Sequence, residues 1–223
     1  MGELKPSRIV ELLDYLQAAR PSVFGADSHQ FKLNPVLAET RVIAFERHHS
    51  ISLPSDYRLF VTSVGDGGAG PFYGVFPLGM VDDNFGLQQW QADDGLIGDP
   101  SKPFLLREEW NDTSTMPSPD LADKDQAEYD RWTEEFENAY WRSDLLNGAI
   151  PICHEGCALR IWLVVAGEIA GQLWEDRRSE DRGIRPVRLA DGSPATFGAW
   201  YGEWLQQCLA VAKSPSPDVN ATS

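Results

Sequence analysis

Between Leu53 and Gly79 the chain reads LPSDYRLFVTSVGDGGAGPFYGVFPLG, and the order of its parts restricts the fold more than any other stretch. Tyr57, Phe60, Val61 and Val64 fall at i, i+3, i+4 and i+7, one face of a helix. Pro54 suits the first helical turn, and Gly65 the position just past the helix end. The run Phe72-Tyr73-Gly74-Val75-Phe76 before Pro77 predicts a strand. Gly65, Gly67 and Gly70 match G-x-G-x-x-G letter for letter. The dinucleotide fingerprint, however, needs a strand before the glycines and a helix after them, so that the helix N-terminus receives the pyrophosphate. Here that order is reversed, and no P-loop lysine follows. The loop is read as a helix-to-strand connection whose glycines permit positive φ and tight packing, with no cofactor expected.

The remaining pattern divides into a helical first part and a strand-rich last third. Ile9, Leu12, Leu13 and Leu16 predict a helix over 7–19, ended by Pro21. Residues 22–32 read as a connection. Asn34 followed by Pro35 reads as an N-cap and first helical position, opening a helix to about His49. Residues 81–98 suggest one irregular helix, and 99–103 a turn cluster. Phe104-Leu105-Leu106 suits a short strand or a packed loop. Residues 111–125, rich in Ser, Thr, Pro and Asp, predict a surface insertion with the least order. In the helix predicted over 126–145, Tyr129, Trp132, Phe136 and Tyr140 form an aromatic stripe of the kind that packs into a core. Strands are predicted over 149–153, 159–166 and 169–175, with a short turn at Ala166-Gly167-Glu168 and a further strand over 184–189. Thr196 is the N-cap of a last helix carrying Phe197, Tyr201, Trp204, Leu205 and Cys208 along its inner face. Helices first, an antiparallel meander later and a closing helix predict an α+β fold. A single domain over 1–213 is expected, with a disordered tail over 214–223.

Composition narrows the class of function. The 223 residues fit one domain, and eight tryptophans and ten phenylalanines supply bulky core anchors. Asp and Glu number 34 against 19 Lys and Arg, a net charge of −15. Such a body repels nucleic-acid phosphates and anionic membranes and attracts a basic partner. Three cysteines give no disulfide framework. The first residues carry acids where a signal peptide has a basic region and an apolar run, so the expected compartment is a reducing cytoplasm.

Chemistry is sparse. Cys153, His154 and Cys157 lack the second short-spaced pair of a structural zinc site, so no metal is expected. His48 and His49 sit where histidine favours a helix C-terminus, and His29 lies in the polar connection. No nucleophile, base and orienter set emerges. Paired carboxylates occur at Asp82-Asp83, Asp93-Asp94, Glu108-Glu109, Glu134-Glu135 and Glu175-Asp176, each read first as a solvated face. Asp82-Asp83 and Glu175-Asp176 stand out because they follow predicted strands, where side chains can line the mouth of a cleft.

The motif residues resemble the SUKH superfamily, which includes bacterial immunity proteins of polymorphic toxin systems and fungal regulators of cell-wall synthesis. The resemblance rests on Leu53-Pro54-Ser-Asp-Tyr57-Arg-Leu-Phe60, on Gly65-Asp-Gly67-Gly68-Ala-Gly70-Pro71, and on Tyr73-Gly74-Val75-Phe76-Pro77-Leu78. It returns in Gly156-Cys157, Leu163–Gly167, Gly171–Asp176 with Trp174, and Phe197–Leu205. Asp66 stands where the family often has Asn, a change that keeps a turn-forming residue. The resemblance implies helices packed on a mostly antiparallel sheet, no catalysis, and a binding role in which a toxin, often a nuclease, is neutralised. The motif residues themselves are then fold determinants. Charge agrees, because nucleases present basic surfaces to phosphate and an acidic inhibitor can occupy them. The expected partner is a basic toxin domain, and the expected contact residues are Asp82, Asp83, Glu175, Asp176, Glu180 and Asp181. The alternatives are a regulatory scaffold for cell-wall synthesis or signalling proteins, and a hydrolase using one carboxylate pair.

Overall fold

The computed structural model describes residues 5–83, 86–89 and 97–214. Among them lie seven α-helices: α1 (Pro6–Ala19), α2 (Ala26–His29), α3 (Glu39–His49), α4 (Ser55–Ser63), α5 (Pro119–Lys124), α6 (Gln126–Tyr140) and α7 (Phe197–Lys213). A hairpin pairs β1 (Met80–Asp83) with β2 (Gly86–Gln89). The main sheet is an antiparallel meander in the order β3 (Ala149–Gly156), β4 (Leu159–Val164), β5 (Leu173–Asp176), β6 (Ile184–Pro186). The fold is α+β, as the sequence predicts.

The sheet is covered on both faces. Ile150, Cys153, Ile161, Leu163 and Leu173 point into a core shared with α1, α4 and α7. The alternate residues Ala149, Trp162, Val164, Trp174 and Ile184 point the other way, against Phe104, Leu145 and Leu146. Trp162 and Trp174 are register partners, and Phe104 packs edge-on to Trp174 at 5.0 Å. Phe104 thus belongs to a packed loop. The β3–β4 connection is a two-residue turn with positive φ at both Cys157 and Ala158, the geometry whose twist matches paired strands. After β4 the chain does not turn at once. It runs out over 165–172 and rejoins the ladder through Gly171 N–H to Val164 O at 2.8 Å.

The motif region is bound to α7. Thr196 caps that helix, its Oγ1 accepting from Ala199 N–H. Phe197 meets Tyr57 and Phe60 edge-on at 5.0 and 4.9 Å, and Tyr201 packs on Phe60 at 4.9 Å. The Tyr201 hydroxyl donates to Ala69 O at 2.8 Å, tying the glycine loop to α7. Truncating an aromatic so placed costs about 3–5 kcal/mol. Gly68 bridges both Leu33 and Val75, and its φ of +99° with Lys32 O beside it leaves no room for a Cβ. The loop is a packing junction.

Several expectations give way. Asn34 and Pro35 do not open a helix; α3 begins at Glu39 with Ala38 before it. Asn34 instead donates through Nδ2 to Asp66 O at 2.9 Å, a long-range bond that competes with capping. Residues 72–76 are not a strand. Phe72 and Gly74 have positive φ, which breaks the extended run; Val75 makes isolated bridges to Gly68 and Cys153, and Phe76 N–H donates to Ile152 O at 2.8 Å. Pro54 lies just outside α4 as its N-cap. The irregular helix read over 81–98 is displaced by the β1–β2 hairpin; Asp82, Asp83 and Gly86 are poor helix formers. The other members of that stretch, 84–85 and 90–96, lie outside the described residues, as does the tail over 215–223. Within 111–125, Ser118 caps α5 through Asp120 N–H.

Candidate functional site

Asp82 and Asp83 are in β1, and their side chains fall outside the described residues, as does the pair Asp93-Asp94. The other predicted contact residues gather at the β5–β6 end of the sheet, where arginines meet most of them. Arg177 is the hub of one network. Its Nη1 reaches Glu155 Oε2 at 2.9 Å and Glu175 Oε2 at 3.0 Å, and its Nη2 reaches Glu180 Oε2 at 2.9 Å. Arg185 takes the other oxygen of Glu175. Glu155 is largely buried, its Oε1 meets no hydrogen-bond partner among the described residues, and burial followed by the nearby Glu175 charge raises its pKa.

Asp176 and Arg178 form a second, deeper pair. Asp176 follows Glu175 in β5 and so points to the opposite face. It is 8% exposed and Arg178 is 2% exposed. The guanidinium grips both carboxylate oxygens, Nη2 to Oδ2 at 2.7 Å and Nε to Oδ1 at 2.9 Å. Arg178 Nη1 also donates to the carbonyls of Tyr140 and Arg142 at the end of α6, and its guanidinium lies 5.0 Å over the Trp141 ring. Every feature is that of a tether between α6 and the sheet. Asp176 is therefore unavailable to a partner, a correction to its place among the contact residues. Glu175 is neutralised from two sides, Glu180 is half-exposed, and Asp181 is exposed with its carbonyl accepting from Asn111 Nδ2 at 2.8 Å.

The open acidic surface lies elsewhere, on α5 and α6. Asp120, Asp123, Asp125, Glu128, Asp130, Glu134, Glu135 and Glu137 are all exposed there, against Lys124 and Arg131. Asp125 caps α6 by accepting from Glu128 N–H at 3.1 Å. Arg131 approaches Glu128 at 3.7 Å and lies over the Trp132 ring. Glu134, Glu135 and Glu137 make no ion pair among the described residues. Trp132, 38% exposed, sits among these charges. The aromatic stripe is thus only half core: Phe136 and Tyr140 are buried, while Trp132 is open. The sequence carried the signal in its eight acids within 22 residues, which the aromatic spacing overshadowed.

The remaining candidates do not converge. Cys153 is buried with its Sγ 3.3 Å from Pro71 O, Cys157 is exposed in the β3–β4 turn, and His154 lies beside Tyr73. Among the described residues no group of three or more His, Cys, Asp or Glu could hold a metal ion. His29, read as part of a polar connection, is buried between Phe31 and Trp204. Its Nδ1 accepts from Phe31 N–H at 3.0 Å, its Nε2 meets no partner among the described residues, and burial lowers its pKa to about 4. No described helix is long and apolar enough to cross a membrane. No protein-family model, curated protein or solved structure matches this chain.

Proposed function

We propose that this protein is a non-catalytic binding protein of the immunity type that neutralises a basic toxin domain, a nuclease in the leading case, within the cytoplasm. The observation that carries the reading is the α5–α6 surface: eight exposed carboxylates against two basic residues, with an exposed tryptophan among them. A basic face evolved to hold phosphate meets in this surface a fixed array of competing anions. Trp132 adds a broad apolar contact of the kind enriched at interface centres. Inhibition then follows from occlusion, and no bond need be made or broken. The resemblance of the motif blocks to the SUKH superfamily supports the same reading. The hydrolase alternative has less support, because Glu175 is neutralised by two arginines and Asp176 is bound up with Arg178.

The test uses the purified protein as bait in a lysate of its own organism, at low and at high salt, with mass spectrometry of the retained proteins. A basic toxin-domain protein released by salt, and missed by a bait with Glu134, Glu135 and Glu137 changed to Gln, is the expected result. Recovery of envelope-synthesis or signalling proteins instead moves the assignment to a regulatory scaffold. Capture that is tight and indifferent to salt overturns the electrostatic part.

A further inference from the structure

Across the sheet from the α6 tether, the helical layer holds a cleft of about 570 Å³. Ile9 of α1, Leu59 of α4 and Leu189 make its open apolar wall, over the buried rings of Phe60, Phe197 and Tyr201. Leu59 is 40% exposed, a large apolar side chain left open at the cleft. The polar lining is unbalanced in sign. Asp56, Asp191 and Glu203 line the cleft, and no lysine, arginine or histidine does so among the described residues.

The three carboxylates are also held in place. Asp56 Oδ2 accepts from Gly198 N–H at 2.9 Å, and Glu203 Oε1 accepts from Ala190 N–H at 3.1 Å. Asp191 Oδ1 accepts from both the amide and the hydroxyl of Ser193, which lowers its pKa and keeps it ionised. Each carboxylate retains acceptor capacity beyond these bonds. Carboxylates fixed in advance lose little freedom when they meet a cation, so the pairing keeps more of its strength.

We propose that this cleft receives an amphipathic helix of a partner protein, with apolar side chains seated against Ile9, Leu59 and Leu189 and lysines or arginines meeting Asp56, Asp191 and Glu203. Charge complementarity selects a basic occupant. An amphipathic helix offers both faces at once, with apolar anchors at i, i+3 or i+4, and i+7. The site is separate from the α5–α6 surface, and either can fail without the other.

The probe is a labelled 18-residue synthetic helix with leucines on one face and lysines on the other, compared with a leucine–glutamate helix of the same pattern. Binding to the full chain is followed by fluorescence anisotropy at low and high salt. The expected result is micromolar binding of the lysine helix alone, weakened by salt. Leu59→Lys, at an exposed position, weakens it at least tenfold. Asp191→Asn with Glu203→Gln, which keeps the internal hydrogen bonds, weakens it about tenfold and reduces the salt dependence. Glu134, Glu135 and Glu137 changed together to Gln leave it unchanged. Loss of binding in that α6 variant, with Leu59→Lys still binding, overturns the cleft and leaves the α6 reading standing. Equal binding of the glutamate helix overturns the choice of a basic occupant. Absence of binding by either helix overturns the proposal, as does a dimer of the protein alone that Leu59→Lys dissolves, which assigns the cleft to a second copy.

Discussion

The loop after β5 and helix α6 are both densely charged, yet they use charge in opposite ways. Around the loop four carboxylates meet arginines, Glu155, Glu175 and Glu180 at Arg177 and Asp176 at Arg178, while Asp181 stays exposed. On α6 the acids outnumber the bases and stand in water. Charge that is already paired determines structure, since breaking the pair exposes a desolvated ion. Charge left unpaired at the surface adds little to stability and is free to steer a partner. A count of acidic residues cannot separate these two roles; pairing and burial do.

The largest effect that separates them is expected at Arg178. Arg178→Ala leaves Asp176 buried without its partner and removes the donors to Tyr140 and Arg142. Destabilisation of about 3–5 kcal/mol is expected, read by urea unfolding. Adding Asp176→Ala removes the stranded charge and should recover part of the loss. A cost below ~1 kcal/mol for Arg178→Ala would place this pair with ordinary surface pairs and break the comparison.

His29 is the uncharged counterpart, a buried titrating ring with no countercharge in its aromatic surroundings. Its pKa falls from 6.5 to about 4, so between these values the unfolded chain binds the proton and the folded one does not. Its contribution to stability is complete above about pH 6.5 and is lost as pH drops toward 4. Glu155 acts with the other sign. Its raised pKa lets the folded state hold a proton above the usual 4.5, so its contribution declines as pH rises through that window. Unfolding followed from pH 7 to 4 should show stability falling with acid, less steeply in His29→Asn and more steeply in Glu155→Gln. An unchanged slope in His29→Asn removes His29 from the account.

On α6 the expected effect is kinetic. Changing Glu134, Glu135 and Glu137 to Gln should leave unfolding free energy within ~0.5 kcal/mol. It should slow association with polylysine at low ionic strength about tenfold, an effect that added salt erases. Stopped-flow tryptophan fluorescence gives the rate, with Trp132→Phe as the control that identifies the responding residue. A stability change as large as that at Arg178 would mean that these acids, too, are structural.

What the sequence made legible follows from distance along the chain. The Thr196 cap, the inner face of α7 and the helix-to-loop passage at Val64–Gly65 depend on neighbours within a few turns, and they stand as read. Asn34 was misleading because its partner, Asp66 O, is 32 residues away. His29 looked polar because Trp204, which covers it, belongs to the last helix. The direction of Asp176 was not legible either. Alternation identifies an outer face only when one side of a sheet meets water, and here both sides are covered. The α6 acids were visible as a solvated face, but the core reading of the stripe Tyr129, Trp132, Phe136 and Tyr140 holds only for Phe136 and Tyr140, which leaves Trp132 open among those acids.

The smallest effect sharpens the comparison within the loop itself. Glu180 is the one partner of Arg177 that is more than a third exposed. Its removal in Glu180→Gln leaves Arg177 held by Glu155 and Glu175. A change in unfolding free energy below about 0.5 kcal/mol is therefore expected. Association with polylysine should also stay within twofold of the unaltered protein, because the remaining charges of the network are internally paired. If Glu180→Gln instead slowed association as strongly as the α6 substitutions, the loop would be part of the attracting surface. Pairing within the loop would then not have cancelled its field, and exposure rather than pairing would be the property that makes a carboxylate available to a partner.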